Sequence, residues 1–177
     1  MTRYREYNNQ VTPAVPCLFL YDTGEQSFTS SGEFHIWNTI KIKTSGFQYT
    51  ADDDRFSLLT NTSGLFMLEF DCSYYTVAND ADLTITTSIY KNGVIVPGST
   101  SITTVTGSGS PLIRTCQSIH YIVYLKRDDY IQIKSTASAN TAIQSGNTSR
   151  LIINYLPMRG WNNDKAGRIS FKGQVSR

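Results

Sequence analysis

Leu65-Phe66-Met67-Leu68-Glu69-Phe70-Asp71-Cys72-Ser73-Tyr74-Tyr75 is the stretch that decides the fold. Phe66, Leu68, Phe70, Cys72 and Tyr74 take every second position, with Glu69, Asp71 and Ser73 between them. A repeat of two sets these groups on opposite sides of an extended chain, so the stretch is a strand with one buried face. The turn residues Asn61-Thr62-Ser63-Gly64 lead into it and the polar run Ala78 to Asp82 leads out.

The same reading extends both ways. Downstream, Leu83, Ile85 and Ile89 alternate with Thr84, Thr86 and Ser88 up to the tight-turn signal Lys91-Asn92-Gly93, after which Val94 to Val96 can pair back. Ile131 and Ile133 point inward in a later strand, Tyr130 to Lys134. Upstream, Phe34, Ile36, Ile40 and Ile42 share one parity with only Asn38 intervening. They are predicted to face the core, leaving His35, Trp37, Thr39, Lys41 and Lys43 outside. The Gly/Ser/Thr-rich residues 98–110 read as a surface loop or weak edge strand, and 135–149 as a polar loop. Tyr121 to Leu125 and Leu151 to Leu156 are apolar at nearly every position, which predicts strands covered on both faces. The sequence offers no helix to cover them; another copy of the chain would.

Many strands separated by Gly, Asn, Ser and Asp turns, with no helical period, predict an all-β sandwich or barrel. We expect a jelly-roll β-sandwich of two antiparallel sheets and about 8–10 strands. Length fits this: 177 residues and 19.8 kDa suit one domain with a real core. Residues 17–157 are the predicted domain, with an N-terminal arm over 1–16 and a basic C-terminal arm over 158–177. Charged residues are 17% of the chain, against roughly 25% in ordinary domains. The sparsely charged Ser/Thr/Asn surface suits proteins that pack into assemblies.

Function classes are narrowed by what the residues supply. A net charge of +2 is too weak to predict nucleic-acid binding. No apolar run approaches the ~20 residues that span a bilayer, and residues 1–10 lack the apolar core of an export signal. We therefore expect synthesis in a cytoplasm and no membrane partner. Cys17, Cys72 and Cys116 are widely spaced, odd in number and set in strand-like runs, so all three are expected buried and reduced. No cofactor is expected. Asp52-Asp53-Asp54 is either a Ca²⁺-binding loop or a solvated turn, but its spacing matches no EF-hand. His35 is expected at the surface and His120 near a subunit contact. No nucleophile elbow accompanies either, and no carboxylate pair has glycosidase spacing, so the chain is expected to be no enzyme. Tyr49, Tyr75 and Tyr90 are expected in core or interface packing rather than stacked on sugars. The acceptor triplets Asn61-Thr62-Ser63 and Asn147-Thr148-Ser149 are expected to be chance matches.

Three phrases resemble the tumour necrosis factor and complement globular-head superfamily. Arg55-Phe56-Ser57-Leu58 leading to Thr62-Ser63-Gly64-Leu65-Phe66-Met67-Leu68 is similar to the family's turn, Gly, aromatic, aliphatic entry to a central strand. Ile89-Tyr90-Lys91-Asn92-Gly93 is similar to its strand and Lys-Asn-Gly turn. Tyr124-Leu125-Lys126-Arg127-Asp128-Asp129-Tyr130-Ile131-Gln132-Ile133 is similar to its acidic turn and following strand, with Arg127 where Gly is usual. The resemblance spans residues 17–157 and implies a ten-strand jelly roll forming a homotrimer. Joined to the doubly apolar strands, it makes Tyr121, Val123, Tyr124, Ile153 and Tyr155 the candidate trimer contact.

The expected absence of a leader, a collagen-like stalk or an anchor favours a virion protein of this shape: a capsid decoration or cement, or a spike or fibre head. Its partners would be itself and other capsid or virion proteins. The C-terminal arm carries Arg159, Lys165, Arg168, Lys172 and Arg177 against Asp164, a net +4. Arg159, Trp161, Arg168, Phe171 and Lys172 are the candidate scaffold anchor, with 168–172 able to add a strand to a partner's sheet edge. The alternative anchor-free reading is a frayed tail. The alternative function is a secreted or cell-surface trimeric module that binds a receptor or host-surface glycan through residues 98–110 and 135–149.

Overall fold

The computed structural model describes residues 15–51, 53–59, 63–76, 82–105, 113–138, 141–143 and 149–157. Among them every regular element is a strand: β1 (Cys17–Asp22), β2 (Ser27–Phe28), β3 (Glu33–Phe34), β4 (Thr39–Lys43), β5 (Phe47–Gln48), β6 (Phe56–Leu58), β7 (Gly64–Thr76), β8 (Leu83–Lys91), β9 (Val94–Ile95), β10 (Ser101–Val105), β11 (Ile113–Leu125), β12 (Tyr130–Ala137), β13 (Thr141–Ile143) and β14 (Ser149–Tyr155). Ten of these are three residues or longer, and the other four are two-residue fragments. The predicted jelly-roll sandwich is the observed fold.

Two seven-stranded sheets face each other. In the first, β7 is the spine. β11 pairs along its whole length on one edge, from Ile113 opposite Thr76 to Leu125 opposite Gly64. On the other edge lie β14, opposite residues 66–72, and β13, opposite 74–76. β1 continues from β14, β4 from β1, and β2 from β13. In the second sheet β8 lies between β10 and β12, and β12 also carries β6 and the fragment β3. All the ladders are antiparallel.

The inner face of β7 behaves as its alternation demands: Phe66, Leu68, Phe70, Cys72 and Tyr74 are all buried. They meet Leu83, Ile85 and Ile89 of β8 and Ile131 and Ile133 of β12 in one core. The turn joining β8 to β9 puts Asn92 at φ 52° and Gly93 at φ 78°. Two successive left-handed residues are what an Asn-Gly hairpin supplies with little strain.

The segment from Phe34 to Ile42 differs from its prediction. His35 and Trp37 are fully buried, while Ile36 and Ile42 are 40% and 49% exposed. There are two short strands rather than one, separated at Trp37, which instead bridges to Asp53. The physical reason is shape. The gap is lined by Phe28, Phe56, Phe70 and Tyr74, and flat rings stack into it where a branched aliphatic chain would not: His35 stacks near Trp37, with centroids 5.9 Å apart, and packs edge-on to Phe70 at 4.8 Å. Tyr49, fully involved in this cluster, accepts the Trp37 backbone N–H at 3.2 Å. Asn38 then holds the break by accepting bonds from Thr23 and Thr39.

A polar seam runs through this otherwise apolar core. His35 Nε2 lies 2.7 Å from Ser135 Oγ, and the Tyr74 hydroxyl lies 2.9 Å from Ser135 and 3.0 Å from Thr87. Thr87 Oγ1 donates to Gln117 Oε1 at 2.5 Å, and Gln117 Nε2 donates to the Ile85 carbonyl at 2.9 Å. The seam ties both sheets together through bonds that water cannot replace. Phe70 stands beside it. Phe70→Ala should lower the unfolding free energy by roughly 3–5 kcal/mol, read from urea denaturation of the full chain; a loss under about 1 kcal/mol would contradict this packing.

Candidate self-association face

The outward side chains of β4, β1, β14, β7 and β11 form one continuous surface, and strand register fixes their neighbours. Leu65 pairs with Tyr124. Met67 lies between Ile122 and Asn154. Glu69 lies between His120 and Ile152, and that row continues through Phe19 to Ile42. Asp71 lies between Ser118 and Arg150, with Tyr21 beyond. A water-facing side of an antiparallel sheet ordinarily carries polar residues. Here Ile122, Ile42 and Tyr124 are 55%, 49% and 47% exposed, and Phe19, Tyr21, Leu65, Met67 and Ile152 are half-buried around them. The Phe19 and Tyr21 rings sit 6.3 Å apart on this face.

The opposite end of the face is polar. A shallow cleft of about 430 Å³ is bordered by Asp71, Ser73, Cys116, Ser118 and Arg150. Asp71 accepts a bond from Ser118 Oγ and one from Arg150 Nε at 2.6 Å. Burial works to raise the Asp71 carboxyl, but those two bonds and the Arg150 charge outweigh it and hold the group below the ordinary carboxylate range. The face therefore has an apolar half and a fixed ionic end.

At the β11 edge, the β8–β9 hairpin leaves Val94 70% and Ile95 46% exposed. It is fastened to β11 by Tyr121, whose hydroxyl donates to the Pro97 carbonyl at 2.5 Å, and by Lys91 Nζ, which donates to the Tyr124 carbonyl at 2.8 Å. Lys91 also reaches Asp129 at 2.8 Å. Burial pushes Asp129 up, but bonds from Lys91, Asn92 and the Lys126 backbone N–H reverse it and leave the carboxyl low. A small apolar cleft of about 240 Å³ lies along Val94, Ile95, Val96 and Pro97.

The structure redistributes the five residues expected at a trimer contact. Val123 and Ile153 point into the chain's own core, at 6% and 0% exposure. Tyr121 and Tyr155 rest against that core, and the Tyr155 ring lies 5.3 Å from Phe66. Tyr124 alone projects outward, joined by Ile122, which sequence reading passed over. In an all-apolar run the parity cannot be read from the run itself. The signal for the rest of the patch was Cys17 to Tyr21, which is apolar at every position just as 121–125 is.

His120, expected near a subunit contact, is exposed on this candidate face beside Glu69, whereas His35, expected at the surface, is sealed in the core. The close His35–Ser135 pair thus has no solvent on either side chain. Cys72 is buried, Cys17 is half-buried and Cys116 is exposed, with Ser73 Oγ 3.2 Å from its sulfur. Burial raises the thiols of Cys17 and Cys72 above the usual range. Asp53 accepts backbone N–H bonds from Asp54 and Arg55, and Asp54 accepts from Gln132 Nε2 at 2.7 Å, a turn held by its own partners. Tyr49 is buried, and Tyr75 and Tyr90 are half-buried. Asp52, both acceptor asparagines and the anchor set Arg159, Trp161, Arg168, Phe171 and Lys172 lie outside the described residues.

No family model matches this chain, and no curated protein matches it. Among solved structures it is similar to murine APRIL. For the crystal structure at pH 5.0 the TM-score is 0.53 with 14% identity, covering 80% of this chain and 99% of that one. For the structure at pH 8.5 the TM-score is 0.55 with 15% identity, covering 80% and 98%. The likeness is one of fold: this chain is a tumour-necrosis-factor-like jelly roll.

Arg150→Gln removes the cation from the ionic end. The Asp71 carboxyl should then titrate higher than in the parent chain, as read by carbon-detected NMR of the side-chain carboxyl; an unmoved titration would show that Ser118 alone holds it.

Proposed function

We propose that this chain is a non-enzymatic assembly module: a homotrimeric jelly roll that serves as a virion structural protein, decorating or cementing a capsid or forming a spike. The observation that carries the assembly is the apolar half of the β4-β1-β14-β7-β11 face. Exposed Ile and Tyr side chains at this density mark a surface that another protein covers. The exposed residues stand at both margins of the sheet, Ile42 on β4 and Ile122 and Tyr124 on β11. Two different margins suit a head-to-tail contact that closes into a ring, and the fold supports three members. The sparse charge of the chain supports a packed particle surface. The basic, aromatic set Arg159, Trp161, Arg168, Phe171 and Lys172 supports anchoring to a scaffold.

One observation favours a second reading, a secreted or cell-surface module that grips a receptor or glycan. Val94 and Ile95 are exposed on a tight hairpin at the margin of the face, a shape suited to entering a partner's pocket.

Light scattering at micromolar concentration should give three times the 19.8 kDa chain mass. Ile122→Asp with Tyr124→Asp should reduce that to one chain mass with an unchanged far-ultraviolet circular dichroism spectrum. Val123→Asp, buried in the chain's own core, should instead unfold it. A monomeric parent chain would end the assembly reading. For the finer reading, the chain should co-purify with particles, and deleting residues 158–177 should abolish loading while leaving the trimer. Retention of loading would remove the anchor.

A further inference from the structure

His35 occupies an unusual position for a base. Its ring is fully buried among Phe28 at 4.7 Å, Trp37 and Phe70, with Ser135 on Nε2 and no partner on Nδ1 among the described residues. The groups facing it are Phe28 from β2, Phe70 and Tyr74 from β7, Ser135 from β12, Thr87 from β8 behind Tyr74 and Ser135, and Trp37 from its own stretch. Tyr74 is the one titratable group in that set, and burial keeps it neutral by raising it well above its usual range. The charged groups nearby point elsewhere: Glu33 is exposed, Lys134 lies over the Phe34 ring at 5.4 Å, and Asp22 bonds Gly24 and Gln26. None of these described residues offers a negative charge to an imidazolium.

The segment carrying His35 is held lightly. β2 pairs with β13 at two positions and β3 with β12 at two, supplemented by the His35 N–H to the Ile133 carbonyl and the Ala137 N–H to the Thr29 carbonyl. Gly32, at φ 78°, turns the chain so close to β12 that a Cβ there would stand 2.5 Å from Thr136 Cγ2. By contrast β7 and β11 share thirteen paired positions.

We propose that residues 27–36 form an acid-released flap, which lifts His35 and Phe28 out of the core on protonation, parting β2 from β13 and β3 from β12, while β7 keeps its pairing to β11 and β14. This goes beyond the assembly reading and does not depend on it. The sign follows from burial, which lowers His35 from 6.5 to about 3 in the closed state. The closed flap has its full hold above pH 6.5, and that hold weakens as pH falls toward 3, because only the open state takes the proton readily. The window opens above the carboxylate range, so aspartates and glutamates do not produce its first part.

Hydrogen exchange of the full chain at pH 7.5, 6.5, 5.5 and 5.0, corrected for intrinsic rates, tests this. Amides of residues 27–36 should open at least about a hundredfold more often than those of β7. Their opening should rise toward tenfold per pH unit below 6.5. His35→Gln should flatten that slope, and His120→Gln should leave it unchanged. An equal slope in His35→Gln, no slope in the parent chain, or identical protection for the flap and β7 would overturn the proposal. Should His35→Gln fail to fold, the parent imidazole decides by NMR: titration near 6.5 with the flap amides still protected overturns it, and titration tracking flap opening supports it.

Discussion

The pairing of β7 on both edges, along its whole length to β11 and over 66–72 and 74–76 to β14 and β13, is the constraint from which the remainder follows. A strand with hydrogen-bonded neighbours on either side cannot slide or rotate, because a one-residue slip would turn Phe66, Leu68 and Phe70 to water. With its parity fixed, β7 sets the parity of β11 and β14, and β14 sets that of β1. The inner face and the outer face of the sheet are therefore not independent choices. Burying Leu68 and Phe70 obliges Met67 and Glu69 to lie outside. It also obliges Ile122 and Ile152, their cross-strand neighbours, to lie outside with them.

That coupling explains which parts of the fold were legible. β7, β8 and β12 alternate apolar with polar residues, so their inward parity is written in the sequence and the structure agrees, except that Ser88, expected outside, is buried with its hydroxyl 2.9 Å from Thr100 Oγ1. In 121–125 and 151–156 both parities are apolar, and only pairing to β7 decides that Val123 and Ile153 go in while Ile122 and Tyr124 go out. The sequence revealed that something must cover these strands but not which side chains are uncovered. Residues 34–42 failed for the converse reason. His35 and Trp37 count as polar or amphipathic by composition, yet an aromatic-lined gap rewards a flat ring over a branched aliphatic chain. The long separations also hide the seam: His35 meets Ser135, and Gln117 meets Thr87, across distances in sequence that no local pattern reports.

The polar seam and the polar end of the outer face lie on opposite sides of one sheet, back to back. Tyr74 and Gln117 face the seam, while Ser73 and Ser118, their sequence neighbours, border the ionic cleft. The upper β7–β11 segment thus spends both of its faces on hydrogen bonds, and the lower segment, beyond the Glu69–His120 row, spends both on apolar contact. Such a division concentrates the response to acid and to salt at the polar end of the domain. Acid acts where a buried base and a low-lying carboxylate are found, and salt weakens the exposed part of the Asp71–Arg150 pair.

The same division bears on how copies would meet. An apolar surface alone gives adhesion without direction, since Ile122 packs against Ile42 or Phe19 with similar reward. The ionic end supplies what the apolar half lacks. Arg150 engages Asp71 through Nε at 2.6 Å, and its side chain is still 53% exposed. A neighbour that covers the apolar half must also leave that charge pair solvated or satisfy it. Burying it without partners would cost several kcal/mol, more than a sliding apolar contact would return. Placing the ion pair at one end of the face therefore restricts the neighbour to positions that keep it wet or paired, which turns a greasy surface into one with a preferred register.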